Sequence, residues 1–407
     1  MVPPQPKAMG VFFILYFLYR LDLGKICTLR QIMSIHKTIP MIDLPRVHST
    51  YKEELDESIG FVVNSGTYIG GSVVEEFQAS LTDYLGTPTF GVGNGTDALQ
   101  IALMALGIGP GDEVIVPAFT YASSAEVIGL LGATAVWCDV HTSSFNLDAE
   151  SVKLALSENT KAIIAVHLYG QLADLEALDQ VAGSIPIVED TAQAFGAKFT
   201  QGKYKGKYAG TVGAFGTLSF FPTKPLGAMG DGGAIISSNS VLHDSALNIS
   251  RHGQSKKYIH EEIGVNSRLD SIQAAILGVK FKHFLPTLER KKRLAELYHL
   301  ELIEVHQLKL PAVEHYSTHV WHQFTIRVDS NHRNFLKKYL AEKGVSTMVY
   351  YPFALSDQEA YASMIERVPI SNSRSLCNEV LSLPIDPSMD DADVRIICNT
   401  IKQYFAI

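Results

Sequence analysis

One lysine, Lys224, stands in the run Leu218-Ser219-Phe220-Phe221-Pro222-Thr223-Lys224-Pro225-Leu226-Gly227, closed by Gly230-Asp231-Gly232-Gly233. The apolar runs on either side of it, Gly216–Phe221 and Gly233–Ser237, read as strands. An ammonium group in such a loop is costly to desolvate, and desolvation lowers its pKa towards a neutral, nucleophilic amine. Upstream, Glu189-Asp190-Thr191-Ala192-Gln193 follows the apolar run Ile185–Val188. Further upstream, Gly93-Asn94-Gly95-Thr96-Asp97 opens a long apolar segment.

An amine, a carboxylate at a strand end and a glycine turn at a helix start match the demands of pyridoxal phosphate (PLP) chemistry. The phosphate needs a cradle, the ring nitrogen an acid partner, the ring face a flat neighbour and the phenolic oxygen a polar one; a lysine must bond the aldehyde and move a proton. The turn around Gly95, Thr96 and Asp97 exposes free N–H groups and the positive end of a helix dipole. By itself this turn also resembles a dinucleotide-binding loop. However, Gly91-Val92-Gly93-Asn94-Gly95 is G-x-G-x-G, without the spacing that such a loop uses. An NAD-dependent oxidoreductase would leave Lys224 and Asp190 idle, and a catalytically silent regulator of the same fold would not need the lysine.

Asp190 suits the ring nitrogen, with a helix N-cap as its structural alternative. Gln193 follows at a spacing that could face the phenolic oxygen, or it is a surface amide. Tyr121, in Pro117-Ala118-Phe119-Thr120-Tyr121, could stack on the ring, with Phe119 competing for that role. Ser219 could add a phosphate contact or bond only backbone.

Alternating segments position these groups. Helices are expected at Asp97–Leu106, Ser123–Leu131, Ala149–Leu156 and Leu172–Ala182. Strands are expected at Glu113–Pro117, Ala133–Asp139, Ala162–Val166 and Ile185–Val188. The fold class is therefore α/β, with a mostly parallel central sheet covered on both faces. Amphipathic stretches at Ser267–Phe284 and Leu288–Leu302, then a mixed tail, place a domain change near Phe284–Leu288. The expected organisation is an N-terminal extension over residues 1–40 outside the fold, a large domain over 41–285 and a smaller C-terminal α/β domain over 286–407.

The 407-residue chain is 46% hydrophobic and 19% charged, with a formal net charge of −8, which argues against nucleic-acid binding. Cys27, Cys138, Cys377 and Cys398 form no C-x-x-C pair and suit reduced thiols in a cytoplasmic protein. His319 and His322 lack metal-site spacing, so no metal is expected. Val11–Tyr19 is apolar but shorter than the roughly 20 residues that a membrane span needs, so no membrane partner is expected.

The motifs together resemble the DegT/DnrJ/EryC1/StrS family of sugar-nucleotide aminotransferases, of PLP fold type I. The resemblance rests on Gly93–Leu99, Glu189–Gln193, Ser219–Gly227, Gly230–Ala234, Arg251-His252-Gly253-Gln254, Gly264–Asp270 and Gln273-Ala274-Ala275, and runs from about Ile42 to near the C-terminus. It implies that Lys224 bonds the cofactor covalently, that Asp190 and Gln193 serve its ring, that Thr96, Asp97 and Ser219 serve its phosphate, and that Tyr121 stacks. It implies further that Asn266 reaches the partner subunit's cofactor in a homodimer. The implied reaction moves an amino group from glutamate to a keto sugar on UDP or dTDP, in surface polysaccharide or amino-sugar biosynthesis. Members with histidine in place of the lysine dehydrate sugars instead; here the lysine is intact.

Arg251 before His252 is similar to the branch acting on UDP-linked 3-oxo-N-acetylglucosaminuronate, where an arginine would meet the uronate carboxylate. A diphosphate contact or a surface salt bridge is the alternative. The loop Val349–Ser356 departs from the family pattern, with Tyr350 where histidine is usual, Ala354 for proline and Ser356 for histidine or asparagine. Tyr350 is nevertheless a candidate substrate contact.

Overall fold

The computed structural model describes residues 38–406. Cys27 and Val11–Tyr19 lie outside the described residues. The strands of the large sheet are β1 (Thr89–Val92), β2 (Glu113–Pro117), β3 (Thr134–Cys138), β4 (Thr160–Val166), β5 (Ile187–Asp190), β6 (Phe215–Ser219) and β7 (Gly233–Ile236). Their order is β1-β7-β6-β5-β4-β2-β3. Only β7 runs against its neighbours, pairing antiparallel with both β1 and β6. The remaining pairs, β2 with β3 and β4, β4 with β5, and β5 with β6, are parallel.

Nearly every residue of these strands is buried, as expected of a sheet covered on both faces. The sheet is thus the mostly parallel α/β platform that the alternation of segments implied.

Several boundaries moved, two of them for clear local reasons. The strand expected at Ile185–Val188 starts at Ile187, because Pro186 has no N–H to give and offers only its carbonyl, to Ile163 N–H at 3.0 Å. In consequence Asp190 ends β5 and does not follow it. The helix expected from Leu172 begins at Leu175, since Asp174 caps it by accepting from Ala177 N–H at 3.0 Å.

The helix Gly95–Ala105 buries Ala98, Leu99, Ile101, Ala102 and Leu103. Full burial of each larger aliphatic side chain contributes roughly 1.5–3 kcal/mol at most, so this helix is anchored firmly to the sheet.

The C-terminal part carries its own three-stranded antiparallel sheet. After the short hairpin of β8 (Gln254–Lys256) and β9 (Ile259–His260), it is built from β10 (Leu308–Lys309), β11 (Phe324–Val328) and β12 (Val380–Leu383) in the order β10-β11-β12. The helices Phe284–Leu302, Ser330–Glu342 and Asp391–Tyr404 pack on it around Tyr298, Phe324, Leu336 and Ile397. Ile39 joins this cluster at 2% exposure, and its N–H and C=O bond Gly344 and Ser346. Ile39 therefore belongs to the fold, which corrects its placement in the extension over residues 1–40.

Candidate active site

The C-terminal ends of β4, β5 and β6 open into a cavity of about 620 Å³, the usual location for a site in a parallel α/β sheet. Asp190 lies at its edge, 5% exposed. Its Oδ2 accepts from Ser124 Oγ at 2.8 Å and its Oδ1 from Ala192 N–H at 3.1 Å. No helix follows Asp190 directly, so the N-cap alternative falls away.

The preceding residue, Glu189, has the opposite fate because successive strand side chains alternate. It is fully buried; its oxygens accept N–H groups of Gly210 at 2.8 Å and of Val212 and Gly213 at 2.7 Å, and His167 Nε2 lies 2.8 Å away. Adjacent carboxylates thus divide the work: Glu189 clamps the loop before β6, while Asp190 faces the cavity. Nothing in the local sequence distinguishes them beyond strand parity.

At the other end, Asn94 caps the helix Gly95–Ala105 by accepting from Asp97 N–H at 2.8 Å. Among the described residues, the N–H groups of Gly95 and Thr96 have no hydrogen bond, and both residues line the cavity. Ser219, at the end of β6, lies against this turn, where a Cβ on Gly95 would come within 2.7 Å of the Ser219 Cβ. Its Oγ accepts weakly from Phe221 N–H at 3.3 Å, leaving the hydroxyl hydrogen available. Two free amides, a hydroxyl and Thr96 form an anion cradle at the positive end of a helix. Asp97 also lines the cavity, but its carboxylate accepts from Ser267 Oγ at 2.6 Å, and that oxygen in turn accepts from Gly93 N–H at 2.9 Å.

Lys224 enters between these two ends. Burial pushes its amine below the usual lysine range, partly offset by the Asp190 carboxylate. His322, which sequence reading dismissed as a metal ligand and assigned no role, also lines the cavity; its Nδ1 is buried without a hydrogen-bond partner among the described residues. Burial and the neighbouring Lys224 hold its imidazole neutral.

Tyr121 lines the cavity mouth at 56% exposure, whereas its competitor Phe119 is buried against Phe145 and Tyr351. Gln193 is no surface amide: at 7% exposure, its Oε1 accepts from Tyr169 N–H at 2.9 Å and its Nε2 donates to Tyr351 Oη at 3.2 Å. Tyr350 lines the cavity, and its carbonyl accepts from the Tyr169 hydroxyl. The loop from the C-terminal part is thereby tied to the large sheet. Ser124, Tyr169, Tyr351, His322 and Gln323 escaped sequence reading; only Tyr351, beside Tyr350, had a neighbour that could have pointed to it.

Arg251, His252 and Asn266 are not part of this cavity. Arg251 and Asn266 pair in an isolated antiparallel bridge, and all three are exposed.

The donor set fits PLP. The cradle suits its phosphate, Asp190 its protonated ring nitrogen, Tyr121 its ring face and Lys224 its aldehyde. Comparison with known proteins gives the same answer, since the sequence pattern of the DegT/DnrJ/EryC1/StrS aminotransferase family matches residues 49–402. The chain belongs to this aminotransferase family. It is 41% identical to UDP-2-acetamido-2-deoxy-3-oxo-D-glucuronate aminotransferase of Pseudomonas aeruginosa, covering 88% of this chain and 98% of that protein. It is 36% identical to dTDP-3-amino-3,4,6-trideoxy-alpha-D-glucose transaminase of Streptomyces venezuelae, covering 90% and 96%. Its fold matches the crystal structure of NtdA from Bacillus subtilis with bound cofactor PMP at a TM-score of 0.80 and 29% identity, over 90% of this chain and 86% of that one. This aminotransferase is PLP-dependent, and sequence and structure agree on that reading. Among the described residues no helix is long and apolar enough to cross a membrane, and no cluster of side chains could hold a metal. Cys138, Cys377 and Cys398 are buried and free.

Proposed function

We propose that this aminotransferase transfers the amino group of glutamate to a keto group, at ring carbon 3, of a sugar carried on UDP or dTDP. The observation that carries the reading is the placement of Lys224 and Asp190 in one cavity with the Gly95–Thr96 cradle. The substrate class is supported by the names of the relatives, one acting on a UDP-linked 3-oxo sugar and the other named for a dTDP amino sugar.

When bound, the cofactor supplies a conjugated, protonated ring that takes up the electron pair released at the substrate carbon. Asp190, oriented by Ser124, keeps the ring nitrogen protonated. Lys224, with its pKa lowered by burial, is the base that would carry a proton between the substrate carbon and the cofactor's aldehyde carbon. The cradle of Gly95, Thr96 and Ser219 holds the phosphate, and Asp97 fixes Ser267 beside it. Gln193 holds Tyr351 and, with Tyr121, flanks the ring.

The assembly is a homodimer in the cytoplasm, each protomer organised as a large domain over residues 41–285 and a small one over 286–407. Arg251, His252 and Asn266 then reach the cavity of the partner. Support comes from their joint exposure outside their own cavity and from Tyr121 and Phe221 left open at its mouth. Arg251 would meet the carboxylate of a uronate sugar, and Tyr350 the sugar ring.

The deciding assay follows glutamate consumption over a panel of UDP- and dTDP-linked keto sugars. Turnover with a 3-keto sugar nucleotide is expected; consumption with none of them, by protein carrying its cofactor, overturns the substrate class.

A further inference from the structure

The loop Pro222–Gly227 separates the active cavity from a smaller one behind it, of about 60 Å³, and Lys224 lines both. Two more lysines, Lys280 and Lys291, line this rear space, with Asp386 as the carboxylate among its lining residues. Lys291 is 5% exposed and has neither a hydrogen bond nor an ion pair within 4.0 Å among the described residues. Lys280 is 9% exposed, and its amine lies 3.2 Å from His48 Nε2.

Asp386 attracts Lys291 from beyond ion-pair distance, and both its oxygens are engaged elsewhere. Its Oδ2 accepts from Asp43 N–H at 3.1 Å, and its Oδ1 accepts from Ser388 N–H at 2.8 Å and from the Ser388 hydroxyl. Among the described residues, the histidine and tyrosine neighbours are uncharged. Burial and Lys280 hold His48 neutral, burial pushes the Tyr51 phenol up to about 12, and on the far side burial and the lysines keep His319 and His322 neutral. With Lys224 answered by Asp190 on the active-cavity side, Lys280 and Lys291 face the single carboxylate of Asp386. Burying ammonium groups without a counter-charge is costly, and the space holds a few waters or one small ion.

We propose that the cavity behind Lys224 binds a single halide-sized monovalent anion, held by Lys291 together with Lys280. Such an ion balances the charge of Lys280 and Lys291 and favours a protonated Lys224 nitrogen. It thereby acts on the active site from behind without entering it. The proposal does not depend on which sugar is the substrate.

The test uses the cofactor-loaded enzyme in sodium chloride or bromide against sodium gluconate at equal ionic strength. For wild type, the melting temperature should rise by several degrees with halide, as expected for a ligand that binds only the folded state. Lys291→Met should abolish the rise, and Lys280→Met should weaken halide affinity about tenfold. Crystals soaked in bromide should show an anomalous peak in the rear cavity. A halide response unchanged in Lys291→Met, or bromide on the protein surface alone, overturns the proposal. Should neither variant fold, the bromide position in wild type decides.

Discussion

Ser124 and Asp190 lie 66 residues apart in the chain, yet Ser124 Oγ donates to Asp190 Oδ2 at 2.8 Å beneath the active cavity. The bond fixes the carboxylate proposed to face the cofactor ring. Removing it by Ser124→Ala costs about 1.5–3 kcal/mol, the range for a hydrogen bond to a charged group. Titration of the cofactor-free protein should show PLP affinity lowered roughly ten- to a hundredfold. An unchanged affinity would show that Ala192 N–H alone suffices to orient Asp190.

Lys224→Ala should lower turnover by at least 10²–10⁴, the usual contribution of a positioned acid–base group. The wild-type protein carrying its cofactor should be coloured and bleached by borohydride with covalent fixation. The variant should bind the cofactor without fixation. Retained turnover would remove the lysine from the chemistry.

Glu189→Gln should destabilise the protein by about 3–5 kcal/mol, the cost of breaking a buried charged cluster, since the new amide would face N–H donors. Urea unfolding measures this. Loss of turnover without loss of stability would assign Glu189 a chemical role.

Lys280 and Lys291 are both pushed down to about 8 by burial. Between that value and the ordinary lysine pKa, the unfolded chain binds protons that the folded chain does not. Stability in halide-free buffer should therefore rise with pH from about 8 towards 10.4 and level off below about 8. Lys291→Met should flatten the rise, as read from urea unfolding at pH 7 and 9.

Mixing Lys224→Ala with Asn266→Ala should restore activity if two chains share each site. Random exchange in a symmetric dimer gives roughly a quarter of the wild-type number of intact sites. No recovery after confirmed subunit exchange would confine each site to one chain.

The lysine, the aspartate and the glycine turn were legible because each sits where a strand ends, and strand ends follow from apolar runs bounded by turn residues. Asp190 stood out although its strand began later than expected, Pro186 having delayed it. Ser124, Tyr169 and His322 were not legible. Their roles depend on which side of the cavity distant segments reach, and local spacing carries no such information. The helix Phe284–Leu302 illustrates the limit well. Its amphipathic pattern was plain, but Lys291 within it reads as an ordinary exposed charge until the packing shows it buried.

β7 returns from the lysine loop directly against the turn that opens the phosphate helix, so tightly that a Cβ on Gly233 would come within 2.5 Å of the Asn94 carbonyl carbon. Main chain resting on main chain leaves no slack for side-chain adjustment. The separation between the reactive amine and the anchoring amides is consequently a rigid calliper. It should reject cofactor analogues whose aldehyde and phosphate stand even one bond further apart.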